Sequence, residues 1–270
     1  MGIKVQFTKM QGAGNDFIVI NAITQVIHLT ENTLRRLAHR GVGVGCDQIL
    51  LVEPPLLPDA DFFMRIYNAN GKPAGQCLNG ARCFARFVLE EGLTNKTHLR
   101  LQTTDTVVNA EVTDFNNIMI HVDNPRRFNT IPYTHHHQNY VLFKRDLGNP
   151  HAIIKVDDLM SVPLKDLGHA LQTHPEFPEG VNVTLIQVLS RAQVKVRTFE
   201  RGVGLTHACG SGALAAAIVG IEEGWLDPSV TITLPFGQLV ATLNTDGQAT
   251  LSGPAAWVYE GHFWLQREHA

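Results

Sequence analysis

Cysteine is scarce in this chain: there are four in 270 residues, at positions 46, 77, 83 and 209. That is too few for a disulfide scaffold at this length. The spacing also misses the usual zinc pattern, whose ligands come in pairs about two to four residues apart; Cys77 and Cys83 are six apart. Long apolar runs are missing as well. No stretch reaches the roughly 18 apolar residues that a membrane-spanning helix requires. The opening MGIKVQFTKM has neither the apolar core nor the small-residue cleavage site of a secretory leader, so the expected location is the cytoplasm. Nor does one sign of charge dominate. A formal net charge of -3 and a pI near 6.5 give no field that would draw in nucleic acid or an anionic membrane, and neither is expected as a partner. What remains is an ordinary composition in a chain long enough for one large domain or two medium ones.

Strand-like runs and turns fill most of the sequence. KVQFTKM and DFIVINA read as β, separated by the turn QGAGN. TENTLRRLAHR reads as a helix with Thr30 as N-cap and Gly41 as its stop. QILLVEP and DFFMRIYNA are again strands, followed by the polar turn NGKPAGQ. NGARCFARFVLEEGL then shows apolar residues at helical spacing, ending at Gly92. LRLQTT, TVVNAEV and IMIHV read as short strands. In the second half NYVLFKRDLGNPHAIIKV, VNVTLIQVL and AQVKVRTFE are β-like. SGALAAAIVGIEEGW is helical and apolar on nearly every face, which predicts burial. VTITLPFG, QLVATLN, ATLSGP and AWVYEGHF close the chain as strands. The histidine run at 135–137 lies in a polar stretch and reads as a solvated loop rather than a metal site.

A short internal repeat organises this pattern. Cys77-Leu78-Asn79-Gly80-Ala81 and Cys209-Gly210-Ser211-Gly212-Ala213 share Cys-x-polar-Gly-Ala, and each follows a glycine-containing turn and opens an apolar helix. At matching places in two similar β-turn-helix halves, the repeat argues for two pseudo-symmetric lobes. Cys46 and Cys83 read as small buried hydrophobes.

A thiol at a helix N-terminus lies beside unpaired N–H groups and the positive end of the helix dipole. Both favour thiolate and imply a pKa lowered from about 8.5 toward neutrality. The same N–H groups suit a carboxylate, and the small residues after each cysteine let it approach the backbone. Two such helix ends facing one another would set two cysteines on opposite sides of one α-carbon. One thiolate would remove a proton while the other thiol returned one, with helix-end donors stabilising charge on the substrate carboxylate. No nucleotide-binding glycine pattern is complete.

In MQGAGNDF (10–17), GVGCDQ (43–48), NANGKPAGQCLNGARC (68–83), GNPHA (148–152), GVNV (180–183) and ERGVGLTHACGSGA (200–213), the chain resembles the diaminopimelate epimerases over nearly its whole length. The resemblance implies an α/β fold in two lobes, each a mixed, mostly antiparallel sheet curled around a central helix. It places the first lobe at 1–119, with a tail at about 257–270 returning to it, and the second at 120–256. It implies conversion of LL-diaminopimelate to the meso isomer in lysine and cell-wall precursor synthesis, without pyridoxal phosphate, metal or nucleotide, by a homodimer. Cys77 and Cys209 match the catalytic pair. Backbone N–H groups at Leu78 and Asn79, and at Gly210 and Ser211, match the positions that hold the reacting carboxylate. Asn15, Gln48, Asn68, Asn149 and Asn182 match polar substrate contacts, and Glu200 and Arg201 also match substrate-binding positions, Arg201 with a fork suited to a carboxylate. His151 and Glu200 match residues that tune the cysteines.

The sequence departs from the family at three places. Leu78 replaces a glycine after the first cysteine, Asn70 stands where aspartate is usual, and Leu205 replaces a glutamate before the second cysteine. A racemase of this fold with another substrate, or a degenerate binding protein, are the alternatives that these changes leave open.

Overall fold

The computed structural model describes residues 2–123 and 125–265. In chain order the elements are β1 (Ile3–Gly12), β2 (Asn15–Asn21), α1 (Glu31–Ala38), β3 (Gln48–Glu53), β4 (Phe62–Asn68), β5 (Pro73–Ala74), α2 (Leu78–Glu90), β6 (His98–Gln102), β7 (Val107–Asp114) and β8 (Asn117–Val122). They continue with β9 (Arg126–His135), β10 (Gln138–Asp146), β11 (Pro150–Lys155), α3 (Leu164–Leu171), β12 (Asn182–Ser190), β13 (Gln193–Glu200), β14 (Gly204–Thr206) and α4 (Gly210–Glu222). The last four are β15 (Ser229–Leu234), β16 (Gly237–Leu243), β17 (Ala249–Gly253) and β18 (Ala256–Leu265). The fold is α/β and dominated by sheet. Two compact units divide it: Met1–Ile120 with Pro254–Ala270, and His121–Gly253. Part of the expected C-terminal return, residues 266–270, lies outside the described residues. No helix among the described residues is long and apolar enough to cross a membrane.

The two units repeat one wiring scheme. In the first, β1 and β2 are antiparallel, α1 carries the chain over to the parallel pair β2 and β3, and β3 and β4 are antiparallel. α2 then makes the crossover to the parallel pair β4 and β6, and β7 returns antiparallel to β6. In the second unit β10 and β11 are antiparallel, α3 bridges the parallel pair β11 and β12, and β12 and β13 are antiparallel. α4 then makes the crossover to the parallel pair β13 and β15, and β16 returns antiparallel. Parallel neighbours need such a crossover, whereas antiparallel ones need only a hairpin. Each cysteine helix is therefore the second crossover of its unit. In both, a minor strand (β5 or β14) pairs back onto the strand just left before the helix begins. β18 closes the first unit by pairing with β1 from Ile3↔Leu265 to Gln11↔Ala256.

Local chemistry explains the helices. Thr30 Oγ1 accepts the Thr33 N–H at 3.3 Å and caps α1. That helix ends at Ala38, before Gly41, because Val44 and Gly45 fold back to donate to the Leu37 carbonyl and Cys46 to that of Ala38. α2 buries Ala81, Phe84, Ala85, Phe87 and Val88. α4 is buried around nearly its whole circumference, as its lack of a polar face predicts. Both helices end alike, in Glu90-Glu91-Gly92 and Glu222-Glu223-Gly224, with the glycines at φ 65° and 74°. This left-handed close satisfies the last carbonyls and suits glycine.

Sequence periodicity missed α3 and β9, besides the short strands β5 and β14. α3 contains Gly168 and starts at Pro163 without a side-chain cap, so its signal is weak. A Cβ at Gly168 would lie 2.3 Å from the Phe199 ring, and glycine lets the helix lie against β13. β9 carries Pro132 and is largely exposed, which weakens an apolar alternation.

Candidate active site

In the first unit Cys77 is itself the N-cap of α2. Its sulfur accepts the Gly80 N–H at 3.3 Å, with Cys77 in extended backbone. The Cys77 thiol is 3.7 Å from Asn15 Oδ1, and Asn79 Nδ2 donates to the same oxygen at 3.4 Å. Asn15 is anchored by Asp47, whose carboxylate accepts from Asn15 Nδ2 at 2.9 Å. Gln48 Nε2 donates to Asn68 Oδ1 at 2.9 Å, directly across the β3–β4 pair. Gln48 Oε1 is buried without a hydrogen-bond partner, and a buried acceptor left open at such a place suits a ligand's donor. Lys9 and Arg40 brace this loop through Asp16. Burial opposes ionisation of Asp16, but hydrogen bonds and charge from Arg40 and Lys9 outweigh it and hold the pKa at about 2.

One important residue here escaped the sequence reading. Arg82 is fully buried one turn into α2 and donates from Nη2 to Asn79 Oδ1 at 2.8 Å. Its Nε lies 3.4 Å from the Pro254 carbonyl, and its Nη1 has no partner. Burial lowers its pKa to about 10, with Cys83 and Cys77 within Coulombic reach; it remains a cation at neutral pH. Arginine is almost never buried without a reason, but sequence alone does not reveal which arginine is buried.

The second unit builds its cysteine turn in the same way. Cys209 caps α4, and its sulfur accepts the Gly212 N–H at 3.3 Å. Ser211 Oγ lies 3.5 Å from that sulfur. Asn149 Nδ2 donates to Ser211 Oγ at 3.5 Å, and Asn149 Oδ1 accepts from His151 Nε2 at 2.9 Å. His151 pairs in register with Asn182 across β11 and β12, and Asn182 Oδ1 accepts the Arg201 N–H at 2.9 Å. The Arg201 side chain reaches the Glu179 carbonyl at 3.2 Å. Thr184 and Thr198 hydroxyls meet at 3.0 Å behind the turn. A Cβ at Gly212 would come within 2.7 Å of Thr184 Oγ1 and 3.2 Å of the Cys209 sulfur, so only glycine fits without displacement.

Electrostatics correct one expectation. A helix N-terminus by itself implies a lowered thiol pKa, but at Cys209 the thiol is pushed well above its ordinary value. Burial is the main cause, followed by the Glu200 carboxylate; the Ser211 hydroxyl and Gly212 N–H pull the other way and lose. Hence Cys209 is a thiol at neutral pH. Burial, with help from the Arg201 charge, lowers the His151 pKa to about 3, so this imidazole is neutral and its Nε2–H orients Asn149. Cys46 and Cys83 are buried, and burial raises both thiols to about 12, as inert interior cysteines should be.

The three departures also find places. The Leu78 side chain is buried at the start of α2. Asn70 Oδ1 accepts the Lys72 N–H at 3.0 Å, so the turn cap survives loss of the aspartate charge. Leu205 is half exposed on β14 and lines an apolar depression with Met160, Leu164, His169 and Arg197.

The sequence pattern of the family described as diaminopimelate epimerase matches residues 7–127 and 143–258. The diaminopimelate epimerase of Psychrobacter arcticus is 41% identical over 276 aligned positions, covering 96% of this chain and 94% of that protein. That of Azotobacter vinelandii is 41% identical, covering 97% and 99%. Among solved structures, a hydroxyproline epimerase from Agrobacterium vitis shares the fold at a TM-score of 0.73 and 16% identity, covering 98% of this chain and 94% of that one. With two cysteine-capped crossover helices and these matches along its length, the chain belongs to the diaminopimelate epimerase family.

Proposed function

We propose that this protein is a cofactor-independent isomerase that interconverts LL- and meso-2,6-diaminopimelate by proton transfer between two cysteines and the substrate α-carbon. The observation that carries the reading is the repeated turn. In each unit one cysteine caps the second crossover helix, and its sulfur accepts the N–H three residues on. A thiolate takes the α-proton, and the C–H electron pair moves into the substrate carboxylate, giving an enediolate-like species. The opposite cysteine, as thiol, delivers its proton to the other face of the carbon, and the electron pair returns from the carboxylate. Cys77 and Cys209 exchange roles with the direction of reaction.

The supporting groups follow from their contacts. N–H groups at Leu78 and Asn79, and at Gly210 and Ser211, open helices and suit a carboxylate that gains charge in the transition state. Asn15, Gln48, Asn68, Asn149 and Asn182 supply polar contacts to the amino acid, and Glu200 and Arg201 border the second cysteine turn. Glu200 favours the Cys209 thiol, while His151 acts through Asn149 as a positioning residue. The buried Arg82 cation lies within Coulombic reach of Cys77, and a positive charge there suits a sulfur that carries negative charge during proton transfer. The reading includes a role in lysine and cell-wall precursor synthesis, a cytoplasmic location, a homodimer and one catalytic cysteine per lobe.

Incubation with LL-diaminopimelate in D2O tests the proposal, following α-deuteration and the meso isomer. Both are expected. Folded, reduced protein that exchanges no α-proton would overturn it, and exchange on proline, histidine or lysine alone would assign the chain a different substrate.

A further inference from the structure

A second cluster, confined to the second unit, has no part in this chemistry. β9 and β10 are joined by a two-residue turn, since His135 pairs with Gln138 and only His136 and His137 lie between them. Both turn residues have positive φ, 47° and 64°. That is the type I′ pattern, for which Asn-Gly is the favoured pair because it enters the left-handed region with least steric cost. Histidine tolerates that region better than most residues, yet two in succession break the local preference, and such breaks tend to mark function.

Side chains from the end of β9, the turn and α3 converge. His135 Nε2 and His136 Nε2 each lie 2.8 Å from the same oxygen, Asp166 Oδ2, in the first turn of α3. The three ligand atoms lie within 4.8 Å of one another. Tyr133 stacks on the His135 ring at 6.1 Å and 15°, with His174 edge-on to Tyr133 at 5.3 Å. One imidazole is thus held by aromatic packing and shielded, while the His136 side chain is 74% exposed and open to solution.

We infer that His135, His136 and Asp166 form a binding site for a divalent transition-metal ion of the zinc, cobalt or nickel class, which clips the β9–β10 turn to α3. Two imidazoles and one carboxylate are a suitable donor set for such ions. Tetrahedral bonds of about 2.0–2.1 Å set ligand atoms about 3.3 Å apart, so the two 2.8 Å contacts must open by about half an ångström while the two histidine nitrogens, within 4.8 Å of each other, settle at the same spacing. Each ring coordinates through Nε2 as the neutral tautomer with its proton on Nδ1. Protons therefore compete with the metal, and affinity falls in acid. This site is independent of the epimerase reading.

The test uses untagged, chelator-stripped protein carrying Cys77→Ser and Cys209→Ser, because the two thiols would otherwise compete for the metal. Cobalt(II) is titrated in and its visible d–d bands followed, with zinc(II) as competitor. One ion per chain is expected, together with a rise in the thermal midpoint of the second unit. His136→Ala and the conservative Asp166→Asn should each weaken binding by about tenfold or more and remove the thermal shift. In the chain with both cysteines intact, His136→Ala should leave epimerisation unchanged. Absence of cobalt bands at millimolar metal, or binding equally tight in both variants, would overturn the inference.

Discussion

The two cysteine turns share a backbone design and differ in electrostatics. In each, the cysteine is the helix cap and its sulfur accepts an N–H at 3.3 Å. Behind Cys77 lies a buried cation, Arg82, held by Asn79. Beside the buried Cys209 lies a carboxylate, Glu200, and burial together with that charge keeps the thiol protonated. Identical turns alone would give two equivalent thiols, and a two-base reaction needs one of each form. The surroundings are unequal: a buried cation near Cys77, burial and a carboxylate at Cys209, so the two turns share a backbone and differ in charge.

The largest expected effect tests whether both turns are needed. Cys77→Ala and Cys209→Ala should each lower kcat by about 10²–10⁴-fold, the usual range for one general acid or base. Measured by coupled assay with LL substrate, more than a tenth of normal activity in either variant breaks the two-base reading. Next comes the asymmetry itself. Arg82→Met should slow alkylation of Cys77 by iodoacetamide at fixed pH, because it removes a nearby positive charge, with Arg82→Lys restoring much of the rate. Glu200→Gln should speed alkylation of Cys209, because it removes a charge that disfavours the thiolate. Peptide mass spectrometry reads both, and unchanged rates would show that the charges are not what distinguishes the thiols.

Acid should separate the two units as well. His151 titrates at about 3 when folded against an ordinary value of 6.5. The unfolded chain therefore takes up a proton first, and the second unit loses stability as pH falls from 6.5 toward 3. In the first unit Asp16 titrates at about 2 against 3.8, so that loss comes only between pH 3.8 and 2. Hydrogen exchange on stepwise acidification should show peptides from β11 and β12 opening before those from β1 and β2; the reverse order would refute this account. The smallest effect is expected at Leu205. It is half exposed on β14, so Leu205→Glu should change stability by no more than about 0.5 kcal/mol in a denaturant melt.

Much of this was legible without coordinates. The repeated Cys-x-polar-Gly-Ala pattern located both helix starts, because a cap followed by small residues and an apolar run has few other uses. Asn70 was readable as a turn cap for the same local reason. α3 was not, since Gly168 is there to fit against Phe199, a residue 31 positions later in the sequence. His151 was readable only through the family resemblance, as a residue that tunes the cysteines; that it is buried and neutral depends on neighbours from other strands.

By itself the sequence determined the two lobes, the cysteine-capped helices and the family, because caps, periodicities and spaced motifs are local properties of the chain. Tertiary structure alone decided the charge states: which arginine is buried behind Cys77, that burial and Glu200 outweigh the helix end at Cys209, and that three ligand atoms meet at the β9–β10 turn. Those depend on desolvation and on distances between residues far apart in sequence, and no local pattern encodes either.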